Sequence, residues 1–219
     1  MIALQRRSAL AHREPLATPG GEAALRERPF EGKLIFRGSP EVIGGSLGVA
    51  LPQANGTAIG LLGVVQWLSA DEWLLVTPPS AEAAALATVG GALAGKHVQA
   101  VDVTDYYTTI AVSGSRAREM LMKIATVDFH PRAFKPGMGV TTNFGRTIAW
   151  GRQTAPDSFD LIVRISMSDY LWCLLAEAGR EWGLPAQIPK GGDVKLHLQH
   201  FETETNSDAT PMASDLEIA

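Results

Sequence analysis

The chain has 219 residues, 46% of them hydrophobic, and a formal net charge of −4. That length suffices for a real core in one large domain or two small ones, and the mild acidity gives no electrostatic footprint for nucleic acid or an anionic membrane. The single cysteine, Cys173, can form no disulfide within the chain. Residues 1–10 hold Arg6 and Arg7 but no long apolar run, so they do not read as a signal peptide. No window approaches the ~20 apolar residues that span a bilayer. The expectation is a soluble, cytoplasmic protein.

In chain order, residues 1–29 are rich in Ala, Arg, Glu and Pro, with Pro19-Gly20-Gly21 at their centre, and read as an N-terminal arm. A short strand follows at 33–37. Residues from Ser39 to about Leu47 then read as a short helix, with Ser39 as N-cap and Pro40 at the first helical position. Residues 64–68 and 73–77 read as two apolar strands of a hairpin around a polar turn. Ser80 is expected to cap a helix that runs to about Ala94, where Gly95 stops it, and 98–103 to form a strand. The pattern then recurs. Strand 108–113 leads to a helix capped by Ser115, with Ala117, Met120, Leu121 and Ile124 on one face. Strands follow at 146–152 and 159–165. Ser166 is expected to cap the longest helix, whose Leu171, Leu174, Leu175, Ala178 and Trp182 share a stripe ended by Gly183 and Pro185. Residues 186–219 are polar and acidic and read as a C-terminal tail.

Two correspondences point to an internal duplication. Phe36-Arg37-Gly38-Ser39 and Val112-Ser113-Gly114-Ser115 are both strand–Gly–Ser–helix junctions. Asp71, Trp73, Leu75 and Ser80 match Asp157, Phe159, Leu161 and Ser166 at one constant spacing. Each half then reads strand, helix, two strands, helix, a ferredoxin-like α+β unit. The expected fold class is α+β: residues 30–105 form the first repeat, 106–185 the second, and 1–29 and 186–219 extended arms. The two halves predict that Trp73 and Phe159 occupy equivalent places.

Residues 124–139 interrupt the second repeat with Pro131 and Pro136, Phe129 and Phe134, and His130. Proline fixes φ and removes a donor, so the segment is neither helix interior nor central strand. The Asp128-x-His130-Pro131-x-x-Phe134-x-x-Gly137 loop and the hairpin Trp67-Leu68-Ser69-Ala70-Asp71-Glu72-Trp73 together resemble the gamma (small) subunit of heterotetrameric sarcosine oxidase and its N-methylglutamate dehydrogenase relatives. The resemblance covers residues 34–185 and departs from the family at Ser69-Ala70, where Gly-Pro is more usual. It implies a folate-binding, aminomethyltransferase-like fold. It also implies alpha, beta and small zinc-binding delta subunits as partners, with FAD, FMN, NAD, tetrahydrofolate and zinc held on them and no cofactor bound by this chain alone.

Residues that could carry chemistry each have a plainer reading. His197 and His200 are spaced as metal ligands but have no evident third ligand. His130 could be a general base, although Pro131 beside it favours a backbone role. Cys173 sits in a predicted helix without a basic neighbour. Gly44-Gly45-Ser46-Leu47-Gly48 lacks the spacing of a phosphate loop and reads as a loop. A carboxylate at the strand end occupied by Asp102 and Asp105 carries chemistry in the related aminomethyltransferases; here a turn role fits as well. No catalytic or metal residue is therefore expected. Phe129, His130, Phe134, Met138 and Trp172, the last rotated off its helix's apolar stripe, are the expected partner-interface residues. The function expected is a non-catalytic subunit of a complex that oxidatively demethylates sarcosine or N-methylglutamate and passes the one-carbon unit to tetrahydrofolate. The alternative is a free-standing folate-binding aminomethyltransferase-like protein.

Overall fold

A computed structural model describes residues 6–189 of the chain. Its strands are β1 (Leu16–Ala17), β2 (Ala24–Arg28), β3 (Glu31–Gly38), β4 (Thr57–Gly60), β5 (Gly63–Ser69), β6 (Glu72–Pro79), β7 (Val98–Asp102), β8 (Tyr107–Ser113), β9 (Gly139–Phe144), β10 (Thr147–Ala155) and β11 (Ser158–Arg164). The helices are α1 (Pro40–Leu47), α2 (Glu82–Leu93), α3 (Ala117–Ile124) and α4 (Ile165–Ala178). One sheet runs β4-β5-β6-β3-β7 and the other β9-β10-β11-β8-β2-β1. The α+β class and the duplicated ferredoxin-like order are thus as the sequence predicts. Residues 190–219, with His197 and His200, lie outside the described residues.

The register makes the duplication exact at its junctions. Phe36 on β3 lies opposite Trp73 on β6, and Val112 on β8 lies opposite Phe159 on β11. Trp73 and Phe159 are therefore equivalent, as expected. The Gly38 N–H donates to the Asp71 carbonyl at 3.0 Å, and the Gly114 N–H donates to the Asp157 carbonyl at 3.0 Å. Both glycines have positive φ, 137° and 110°. A Cβ on either would press on the backbone of the adjoining segment, 2.8 Å from the His97 carbonyl oxygen and 2.4 Å from that of Glu22. Only glycine fits a strand exit this close to its neighbour.

The segment read as an N-terminal arm needs correcting. β2 pairs with β8, with Leu25 opposite Val112, in the place that β7 takes beside β3 with Ala100 opposite Phe36. The closing strand of the second repeat is thus supplied from the N-terminus. Its charged Arg26, Glu27 and Arg28 hide the strand pattern, and its partner lies far along the chain, where local reading does not reach. The serine caps also differ. Ser39 does cap α1, accepting from the Val42 N–H at 3.5 Å. Ser80 instead sits at φ 60° in the turn before α2, Ser115 lies one residue before the α3 cap Arg116, and Ser166 lies inside α4. In the last case β11 runs directly into the helix, leaving no turn residue to serve as a cap. The edge strands β4 and β9 have too few buried side chains to announce themselves.

Helices cover the outer face of each sheet. Phe36, Ile43, Trp73, Leu75 and Val89 fill the first layer, and Val112, Met120, Phe159, Leu171 and Trp172 the second. The inner faces meet through Leu74, Val76 and Ile162. Beside these lie fully buried polar groups: Lys33, Gln66, Arg152 and Asp160. Arg152 donates twice to Asp160 Oδ2, from Nη2 at 2.8 Å and Nε at 3.2 Å, and Arg28 Nη2 lies 3.4 Å from Asp160 Oδ1. Lys33 Nζ donates to the Glu31 carbonyl at 2.9 Å. Burial pulls the Lys33 ammonium down to about 8, against the opposing pull of the Glu31 carboxylate, with Arg152 lowering it further.

Replacing one member of the buried pair should cost more than replacing both. Asp160→Asn leaves the Arg152 guanidinium without its main counter-ion, at an expected loss of ~3–5 kcal/mol. The double variant Asp160→Leu/Arg152→Met should lose much less. Urea titration distinguishes the two, and equal losses would show that the pair is not coupled. Lys33 should show a pH signature. Its folded pKa of about 8 lies below the ordinary 10.5, so the cost of burying its charge is fully present below pH 8 and fades as pH rises toward 10.5. The shift corresponds to roughly 3 kcal/mol. Lys33→Met should therefore raise the melting temperature at neutral pH, and the gain over wild type should shrink in alkaline buffer. A pH-independent gain would place the effect in packing instead.

Candidate partner interface

The proline-bearing loop after α3 is built on its own backbone. Asp128 Oδ1 accepts from the His130 N–H at 2.8 Å, and His130 Nδ1 accepts from the Arg132 N–H at 3.2 Å. The His130 carbonyl accepts from the Ala133 and Phe134 N–H groups at 2.8 and 2.9 Å. From α3, the Arg118 guanidinium donates to the Phe129 carbonyl, to the Phe134 carbonyl at 3.1 Å and to the Pro156 carbonyl at 3.2 Å. It also lies over the Phe159 ring, 5.0 Å from the centroid. One cation thus satisfies three loop carbonyls that have no ladder partner. The Phe129 and Phe134 rings lie 4.7 Å apart, and Phe129 meets Phe159 edge-on at 5.8 Å.

The five expected interface residues separate accordingly. Phe129, Phe134 and Trp172 are 0%, 2% and 1% exposed and belong to the core of the second repeat, so the chain's own core rather than a partner buries them. The loop curls its phenylalanines inward because Arg118 holds its backbone. Trp172 is covered because α4 is buried on more than one face. The N-terminal segment crosses it: Arg13 Nε donates to Asp169 Oδ1 at 2.7 Å, and His12 Nε2 lies 2.8 Å from the same oxygen. His130 is exposed and Met138 half-buried. The loop's far end also does something the sequence did not signal. The Thr57 N–H donates to the Gly137 carbonyl at 2.8 Å and the Gly139 N–H to the Asn55 carbonyl at 3.0 Å, joining the edges of the two sheets. The only hint was Gly139 itself, where a Cβ would lie 2.8 Å from Gln66 Cδ.

The remaining candidates serve local structure. Asp102 Oδ1 accepts from the Thr104 N–H at 2.9 Å, and Asp105 accepts from Arg6 Nε at 2.9 Å. Cys173 is buried, and burial pushes its thiol up while Arg13 opposes the shift. Gly44 to Leu47 form the last turn of α1, as the helix expected to about Leu47 implies and against the loop reading of the glycine run, and Gly48 caps it at φ 63°. Among the described residues, no three His, Cys, Asp or Glu side chains gather as a metal site. No helix there is long and apolar enough to cross a membrane.

Comparison with known proteins agrees with this architecture. The sarcosine oxidase, gamma subunit family matches residues 40–181. A sarcosine oxidase subunit gamma of Corynebacterium sp. (strain U-96) is 30% identical over 189 residues, covering 81% of this chain and 91% of that protein. One from Corynebacterium sp. (strain P-1) is 28% identical over 180 residues, covering 79% and 88%. The solved heterotetrameric sarcosine oxidase from Corynebacterium sp. U-96 contains a chain that superposes with a TM-score of 0.74 at 29% identity, covering 84% of this chain and 98% of that one. The glycine cleavage system aminomethyltransferase T of Bartonella henselae shares the fold, with a TM-score of 0.58 at 15% identity over 73% of this chain and 46% of that one. The family match spans both repeats, from the first helix to the end of the last, and the solved chain carries the same two-sheet frame: this chain belongs to the sarcosine oxidase gamma subunit family.

Proposed function

We propose that the chain is the accessory, gamma-type subunit of a sarcosine-oxidase-type complex and braces its larger subunits. The observation that carries this reading is the likeness to a chain of heterotetrameric sarcosine oxidase through 98% of that chain's length. The partners are larger alpha and beta subunits and a small zinc-binding delta subunit. FAD, FMN, NAD, tetrahydrofolate and zinc belong to those subunits. They remove the methyl group of a secondary N-methyl amine, sarcosine or N-methylglutamate, and pass the one-carbon unit to folate. The local engagement of Asp102 and Asp105 supports a scaffold role, because the strand-end carboxylates already bond Thr104 and Arg6. The aminomethyltransferase reading has weaker support, since that likeness at 15% identity concerns the fold. The complex works in the cytoplasm, which suits a chain whose one cysteine is a free thiol.

Within this reading, His130 and Met138 are the loop residues that remain available to a partner, and Phe129 and Phe134 support them from beneath. Co-expression with the larger subunits should yield one complex on size-exclusion chromatography, and the chain purified alone should show no flavin absorbance. Stoichiometric flavin on the isolated chain would overturn the accessory role. His130→Ala with Met138→Ala should weaken assembly by more than the small loss of melting temperature expected from the Arg132 and Lys135 N–H groups left without their side-chain partners. Phe134→Ala should instead destabilise the chain itself by ~3–5 kcal/mol, as for a buried aromatic. Co-elution unaffected by the first variant would remove the loop from the interface.

A further inference from the structure

The inner face of the second sheet is not wholly covered by the first. At the end formed by the start of β8, the start of β10 and the end of β11 it presents an aromatic run. The Tyr106 and Tyr107 rings are 5.1 Å apart, and Tyr107 and Trp150 are 4.4 Å apart. Arg164 lies opposite Tyr107 in the ladder and over the Tyr106 ring at 5.4 Å. Ile148 is 62% exposed and Tyr106 52%. Together with Arg146, these side chains border a groove of about 370 Å³ that no carboxylate lines.

Three features set this face apart from ordinary surface. First, the chain carries a net charge of −4, yet neither Arg146 nor Arg164 has a carboxylate partner among the described residues. Second, the duplication supplies an internal control. Val64, opposite Val76, is the counterpart of Trp150, opposite Ile162, and two residues further along Pro78 stands where Arg164 does. The aromatic and cationic side chains are particular to the second copy, so the shared fold does not require them. Third, tryptophan, tyrosine and arginine are the side chains enriched at interface hot spots. They bring large apolar area, and bidentate donors for carboxylates, at low entropic cost.

We propose that this face docks an acidic, partly apolar segment of another subunit of the complex. Its carboxylates meet Arg146 and Arg164, and an apolar side chain fills the groove between Ile148 and Tyr107. This rests on the accessory-subunit reading above and names the surface through which it acts. The occupant is a different chain, because a second copy would bring the same two arginines to the contact and repel them.

The test uses the full chain co-expressed with the larger subunits. Arg146→Glu/Arg164→Glu and, separately, Ile148→Asp change exposed positions and should leave the melting temperature of the isolated chain unchanged. Each should weaken assembly ~10–100-fold, in the range for desolvated hot-spot contacts. Arg146→Lys/Arg164→Lys, which keeps the charge and loses the bidentate fork, should weaken assembly less than the glutamate variant does. Binding of the wild type should weaken as ionic strength rises, and that salt dependence should be lost in the glutamate variant. Oxidative footprinting should show Tyr106 and Trp150 protected in the complex. Wild-type assembly with unchanged affinity in both variants would overturn the inference and leave the subunit reading standing. A homodimer of the isolated chain that the same variants dissolve would also overturn it, by making the occupant a second copy. Failure of the wild type to assemble at all would overturn the subunit reading, and this inference with it.

Discussion

A carboxylate buried between two β-sheets needs counter-charge from the protein, because water cannot supply it. Asp160 receives it from two strands: Arg152 on neighbouring β10, and Arg28 on β2 from the N-terminus. Lys33 comes from the first repeat into the same layer, and the Asp160 charge helps to keep its ammonium ionised against burial. Apolar contact through Leu74, Val76 and Ile162 joins the two inner faces, and the Thr57–Gly137 and Gly139–Asn55 hydrogen bonds tie the two sheet edges. The pairs hold β10 and β2 to β11 and add little net stability, since the cost of desolvation offsets much of the attraction.

The donation of β2 follows from the same layer. The strand that closes the second repeat also carries Arg28 to Asp160, and Glu27 on it accepts from Thr108 Oγ1 at 2.6 Å and from the Leu10 N–H at 3.2 Å. Behind it, Arg13 reaches Asp169 on α4. The N-terminal segment is thus tied to the sheet and to the helix that covers it. Among the described residues no strand follows α4 in the second repeat, and β2 from the start of the chain takes the closing place beside β8. The two repeats share a fold, but the first is contiguous in sequence and the second is not.

The proline loop belongs to this frame before it belongs to any partner. Arg118 gathers three carbonyls and turns Phe129 and Phe134 into the core, and the loop's end at Gly137 and Gly139 joins the two sheet edges. A sequence feature that looks like a recognition loop can therefore owe its residues to packing. The Tyr106–Tyr107–Trp150 face shows the converse. Tyr107 and Trp150 sit on strands and Tyr106 in the turn before β8, and none attracts attention in the sequence, yet the fold leaves them at the margin of the inner face.

Local physics made much of the architecture legible. Alternating apolar residues marked the central strands, helical periodicity marked α3 and α4, and the paired glycine–serine junctions disclosed the duplication, because a strand exit pressed against a neighbour's backbone admits only glycine. Ser39 could be read as a cap for the same reason: its hydrogen bond reaches only three residues along the chain. What the sequence left open depended on partners distant in the chain. The pairing of β2 with β8, the burial of Trp172 in the second core, and the inward turn of Phe129 and Phe134 around Arg118 each depend on which surfaces meet after the helices and sheets have formed. Periodicity says which face of an element is apolar; only the tertiary structure decides what covers it.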